Sequence, residues 1–84
     1  NMMRLDKYLK VSRLIKRRTV ANEACDNGLV CVNGRIQRAS YEVKPGDTIT
    51  LQMGQRRLSM EVLSTQENAG KADAAAMYRE IPQE

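Results

Sequence analysis

The chain has 84 residues, one small domain that on folding buries only about 60 to 65% of its unfolded surface and leaves little room for a deep substrate cavity. A hydrophobic fraction of 42% and a charged fraction of 29% fit an ordinary folded domain, and no apolar run approaches the roughly 18 residues needed to span a membrane. The net charge of +4 hides a gradient that points to a polyanion partner: residues 1–18 hold seven cations against Asp6, whereas residues 61–84 hold two cations against five acids.

The first residues are charged and lack the apolar stretch of a secretory signal, so a cytoplasmic protein is expected. In "RLDKYLKVSR", Leu5, Tyr8 and Leu9 recur at i, i+3, i+4, which predicts a helix. At about 100° per residue these three share one arc with Ser12. Arg4, Lys7, Lys10 and Arg13 sweep the opposite half of the wheel, with Asp6 among them. One face is therefore core and the other positive.

After Ser12 the register slips at Leu14 and Ile15, and "KRRT" reads as the connection into a second helix, "TVANEACDNG". Val20, Ala21, Ala24 and Cys25 give that helix its apolar stripe. Gly28 sits where a left-handed stop belongs, and Thr19 or a residue just before it is suited to cap the start. Lys16, Arg17 and Arg18 then lie at or beside a helix N-terminus, whose free N–H groups and positive dipole end favour an anion. Three neighbouring like charges repel one another, and phosphate groups would relieve that repulsion.

Leu29 to Val32 is apolar and β-branched, and Asn33-Gly34 after it is a strong hairpin signal. "VKPGDTITLQM" places a Pro-Gly-Asp turn before a strand in which Ile49 and Leu51 alternate with threonine. Gly54 and Gln55 mark another turn, and Leu58, Met60 and Val62 alternate along a last strand. The expected fold is α+β: two N-terminal helices packed on a small curled antiparallel sheet of about four strands. "STQENAGK" has linker composition. "ADAAAMYREI" has helix propensity, with Ala74, Met77, Tyr78 and Ile81 on one side, so a short C-terminal helix is expected, docked through that stripe or frayed.

Catalysis finds no material here. The chain has no histidine, no nucleophile motif and no paired carboxylates, and each of its five glycines sits at a turn. Cys25 and Cys31 are not at a zinc-site spacing and read as small buried hydrophobes. No enzyme activity, metal or cofactor is expected.

Three tyrosines without Phe or Trp are too few rings for a base-stacking platform. Phosphate and groove contacts on a folded RNA duplex or junction, read by shape, are expected instead. The alternative of another class is a helix-turn-helix DNA regulator. Against it, the second helix carries Asn22, Glu23, Asp26 and Asn27, and the cations precede it instead of lining it. Residues 3–63 are read as an RNA-binding domain and 64–84 as a linker with a short helix. The candidate RNA contacts are Arg4, Lys7, Lys10, Arg13, Lys16, Arg17 and Arg18.

Four motifs, "RLDKYL", "RRTVA", "GLVCVNGRI" and "VKPGD", occur in this order between residue 4 and about residue 51. Together they resemble the RNA-binding domain named after the fourth small-subunit ribosomal protein. Arg17 departs from the pattern, standing where most members carry serine. "MRLDKYLKVSRLIKRRT" and the tail near "AAAMYREI" further resemble the bacterial RqcP family, relatives of heat-shock protein fifteen, over nearly all the chain from Met3.

The resemblance implies a non-catalytic factor of ribosome-associated quality control. Such a factor binds obstructed large ribosomal subunits carrying peptidyl-tRNA and contacts large-subunit rRNA and the tRNA. With RqcH on the same subunit, it supports template-free C-terminal alanine tailing of stalled chains. The resemblance also puts Arg4 and Arg18 first among the RNA contacts, with Lys16 and Arg17 beside them. A monomer with no membrane association is expected. The heat-shock relatives keep a second role open, in large-subunit assembly or in rescue by tRNA repositioning.

Overall fold

A two-residue strand, β1 (Met3–Arg4), leads straight into helix α1 (Leu5–Val11). The computed structural model describes residues 2–67 and 70–82. The stripe of α1 turns wholly inward, with Leu5, Tyr8 and Leu9 each 0% exposed. Burial of such side chains contributes about 1.5–3 kcal/mol apiece. No side chain caps α1. Instead, the Leu5 and Asp6 N–H groups donate to the carbonyls of Tyr41 (2.7 Å) and Ala39 (3.1 Å).

The helix closes at Ser12, and Arg13 takes a left-handed backbone with φ +64°. Leu14 and Ile15 then pack against the edge of the core, which is why their spacing leaves the α1 stripe. Helix α2 (Arg18–Asp26) buries Ala21 and Cys25. Val20, expected in its stripe, is 46% exposed. The helix meets the core along a line only as wide as Ala21 and Cys25, with Ala24 at its border. Arg17 is the residue before the first turn, in extended conformation, and no side chain caps α2, Thr19 included. Gly28 ends the helix as expected, with φ +73°.

The strands that follow are β2 (Val30–Val32), β3 (Arg35–Ile36), β4 (Glu42–Val43), β5 (Thr48–Met53) and β6 (Arg56–Val62). Helix α3 (Lys71–Ala75) and strand β7 (Tyr78–Ile81) complete the described chain. The main sheet is antiparallel in the order β3-β2-β5-β6-β7, and β1 pairs separately with β4, Met3 opposite Val43. Val30, Val32, Ile49, Leu51, Met60 and Val62 point from the sheet into one core shared with α1 and α2. The α+β class is as expected, with five strands in the main sheet where about four were expected.

The short C-terminal helix is present, but its extent is a correction. Only Lys71–Ala75 is helical; the chain then turns and runs beside β6, with Tyr78 opposite Val62 and Ile81 opposite Ser59. Ala74 and Met77 are both drawn into the interior, and the open edge of β6 supplies ladder bonds that a five-residue helix cannot match. The Met77 carbonyl accepts from Tyr8 Oη (2.8 Å), Leu63 N (2.8 Å) and Ser64 N (3.1 Å), tying this segment to α1. Burial pushes the Tyr8 hydroxyl pKa up, with a further push from Tyr78, so it stays a donor.

Cys31 also differs from expectation, lying half-buried because its neighbours Val30 and Val32 take the core side of β2. Cys25 is buried, and burial first, then Asp6 and Asp26, raises its thiol pKa to about 11. It stays protonated and unreactive. No helix among the described residues is long and apolar enough to cross a membrane.

Candidate nucleic-acid interface

The seven candidate cations come from β1, α1, α2 and the turn between the helices, and each is exposed or half-buried. The structure sorts them into groups that sequence spacing did not predict.

The first group is built on Asp6. Its carboxylate, in the first turn of α1, is only 3% exposed. Arg4 grips it along one edge of the guanidinium, Nε donating to Oδ1 and Nη2 to Oδ2, each at 3.1 Å. Arg18 Nη2 lies 3.4 Å from Oδ1, and Asn22 Nδ2 donates to Oδ2 at 3.2 Å. The Lys7 N–H donates to Oδ1 at 2.8 Å. Burial alone would push this carboxyl up; the hydrogen bonds from Arg4, Asn22 and Arg18 outweigh it and bring the pKa down to about 2.

Asp6 is therefore a fixed anion beneath two guanidiniums whose outer halves face solvent, Arg4 at 48% and Arg18 at 47% exposed. A fork held in this way is ordered before any ligand arrives, so less rotamer freedom is lost on binding. Asp6, Arg18, Thr19, Asn22 and Glu23 line a groove of about 420 Å³ beside it.

The second group is Lys10, Arg13 and Lys16, which line a separate cleft of about 350 Å³ at the far end of α1. None of the three has an ion-pair partner among the described residues, in contrast to Arg4, Lys7, Arg18, Lys44 and Arg79. The Lys7 ammonium joins neither group; it pairs with Glu67. Arg17 stands alone before the uncapped first turn of α2. Lys16, Arg17 and Arg18, adjacent in sequence, thus go to three different places.

Sequence reasoning placed Asp6 among the cations but gave it no role. The available signal was one acid set at i+2 from Arg4 and i+1 before Lys7 in an otherwise basic helix. Asn22, counted only as poor groove material, proves to be an Asp6 ligand. Arg35, Arg38, Arg56 and Arg57 also lack an acidic partner among the described residues; they belong to the strands and loops, not to α1, α2 or the turn between them. No group of three or more His, Cys, Asp or Glu side chains among the described residues is placed to hold a metal ion.

Residues 3–49 match the S4 domain family. Over 82 residues the chain is 48% identical to the RQC P-site tRNA stabilizing factor of Bacillus subtilis (strain 168), covering 98% of this chain and 95% of that protein. The chain belongs to the S4-domain family, in the branch of the RQC P-site tRNA stabilizing factors. It is also 33% identical over 79 residues to heat shock protein 15 of Escherichia coli (strain K12), covering 93% of this chain but 59% of that protein. The solved trimeric structure of Vibrio cholerae heat shock protein 15 superposes with a TM-score of 0.88 at 30% identity, covering 96% of this chain and 83% of that one. The S4 segment runs from β1 into β5 and contains all seven candidate cations, Asp6 and Asn22.

Proposed function

We propose that this chain is a non-catalytic RNA-binding factor of ribosome quality control that holds P-site tRNA on the large ribosomal subunit. The carrying observation is the collection of seven cations on β1, α1, α2 and their connection, two of them fixed over Asp6, in a chain of this family. Phosphates of large-subunit rRNA and of peptidyl-tRNA are the ligands that such a face suits, since the guanidinium fork matches phosphate oxygens two at a time. The factor acts as a cytoplasmic monomer on obstructed subunits and, beside RqcH, supports template-free alanine tailing of the stalled chain. Residues 3–63 are the RNA-binding unit of this reading.

Co-sedimentation with purified large subunits, with and without peptidyl-tRNA, tests the proposal. Strong preference for tRNA-loaded subunits is expected. No binding to either would overturn the reading. The likeness to heat shock protein 15 favours a second reading, large-subunit assembly or rescue by tRNA repositioning, and equal binding to empty and loaded subunits would select it. Tighter binding to duplex DNA than to structured RNA at matched salt would select a DNA regulator instead.

A further inference from the structure

Arg13 stands in an unusual backbone state. Among the described residues, left-handed φ values fall on Gly28, Gly34, Gly46, Gly54, Asn33 and Arg13. Five of these are residue types that tolerate the conformation; a long branched-charge side chain is not among them. Gly28, which plays the matching role at the end of α2, shows what the position ordinarily takes. The hydrogen bonds that close α1, Arg13 N to Lys10 O (3.0 Å) and Ile15 N to Leu9 O (3.0 Å), are made by the backbone and need no arginine.

A cation beside the negative end of a helix dipole is mildly favoured, but Lys10 already supplies one in the last turn of α1. What the arginine adds is the cleft. Its side chain lies with Lys10 and Lys16 around about 350 Å³ of open space, with no carboxylate of the described chain paired to any of them. Three unpaired cations repel one another, and the residue that joins them is held in a conformation that glycine would adopt without strain.

We infer that Lys10, Arg13 and Lys16 form a discrete phosphodiester-binding cleft, separate from the Arg4–Arg18 fork, and that Arg13 keeps its left-handed conformation to complete it. The inference rests on the RNA-binding reading and deepens it. The chain engages phosphate at two kinds of site. One is rigid and built on a buried anion; the other is open and is neutralised only when RNA fills it.

The test uses the full chain and a folded tRNA transcript as probe, with thermal melting alongside. Arg13→Gly is expected to melt at the same temperature or a few degrees higher, because relief of the left-handed strain offsets the extra freedom of the unfolded chain. Its tRNA affinity is expected to fall about three- to tenfold. Arg13→Asn, which tolerates the backbone but carries no charge, should lose the same affinity, and Arg13→Lys should retain most of it.

Lys10→Ala combined with Arg13→Gly should lose less than the product of the single losses, as expected when both grip one phosphate. Wild-type affinity in Arg13→Gly, or losses that multiply as independent charges do, would overturn the cleft while leaving RNA binding intact. Absence of tRNA binding by the wild-type chain would overturn the RNA reading itself and the cleft with it.

Discussion

Asp6 and Asp47 are equally buried, each with a side chain 3% exposed, yet they hold different kinds of partner. Asp47 sits in the Pro-Gly-Asp turn before β5. It accepts the Lys44 N–H (3.1 Å), the Asn33 amide (3.0 Å) and the Lys44 ammonium (3.1 Å). Asn33 in turn accepts the Thr48 N–H at 2.9 Å, so one carboxylate locks the hairpin of β2 and β3 to the start of β5. Asp6 instead gathers Arg4, Arg18 and Asn22, side chains from β1 and α2. The same device, a buried carboxylate ringed by donors, joins turns to each other at Asp47 and aims cations outward at Asp6. A buried charge needs its donors wherever it sits; at Asp6 two of them are half-exposed guanidiniums from β1 and α2, whereas at Asp47 the one cation, Lys44, comes from the same turn as the carboxylate.

The largest break in this comparison comes from Asp47→Ala. It strands the Lys44 N–H and the Asn33 amide. It should cost about 2–3 kcal/mol, read as a melting temperature lower by about 10–20 °C. The tRNA affinity of the folded protein should change little, because no candidate RNA contact touches Asp47. A loss of affinity equal to that of an arginine variant would erase the distinction between the two aspartates.

Acid titration comes next. Both carboxyls have folded pKa values below the ordinary 3.8, Asp6 at about 2. Their stabilisation is fully present above the unfolded value and is lost as pH falls through the folded ones, for Asp6 between about 4 and 2. The Asp6 share is at most about 2 kcal/mol, reduced further by water around its half-exposed arginines. Denaturant midpoints should therefore be flat between pH 5 and 8 as far as these two groups are concerned, and fall below pH 4. A midpoint independent of pH down to 2 would contradict the hydrogen-bond rings.

The smallest effect on the fold is expected from Arg18→Ala, which leaves Asp6 with its Arg4, Asn22 and Lys7 donors. Melting should shift by only a degree or two, while the slope of log affinity against log salt flattens by about 0.7 to 0.9. An unchanged slope would remove Arg18 from the interface.

Much of the fold is legible in the sequence. The Leu5, Tyr8 and Leu9 stripe, the Gly28 stop, the Asn33-Gly34 hairpin and the Pro-Gly-Asp turn each express one local preference that the fold obeys. Strands of two residues, such as β1 and β4, carry no periodicity to read. The 76–81 segment reads as helix because alanine-rich sequence favours helix in isolation, while burial of Met77 and the β6 edge decide otherwise in the folded chain. At the site, spacing revealed which face is positive. It did not reveal that neighbours Lys16, Arg17 and Arg18 part company, since their directions depend on a left-handed residue and an extended one within five positions. Nor did it show that Asp6 is the anchor of the fork, because the pairing with Arg18 and Asn22 exists only once α2 has packed against α1.

The central claim, that Asp6 orients the cations which meet RNA, is tested most directly by tRNA affinity of Asp6→Asn at a temperature where both proteins are folded. The substitution adds one unit of positive charge beside a polyanion site, so simple electrostatics favours tighter binding. The account predicts the opposite sign: several-fold weaker binding, because Arg4 loses the anion that fixes its fork and Arg18 loses the charge it leans on. Binding as tight as wild type, or tighter, would contradict it.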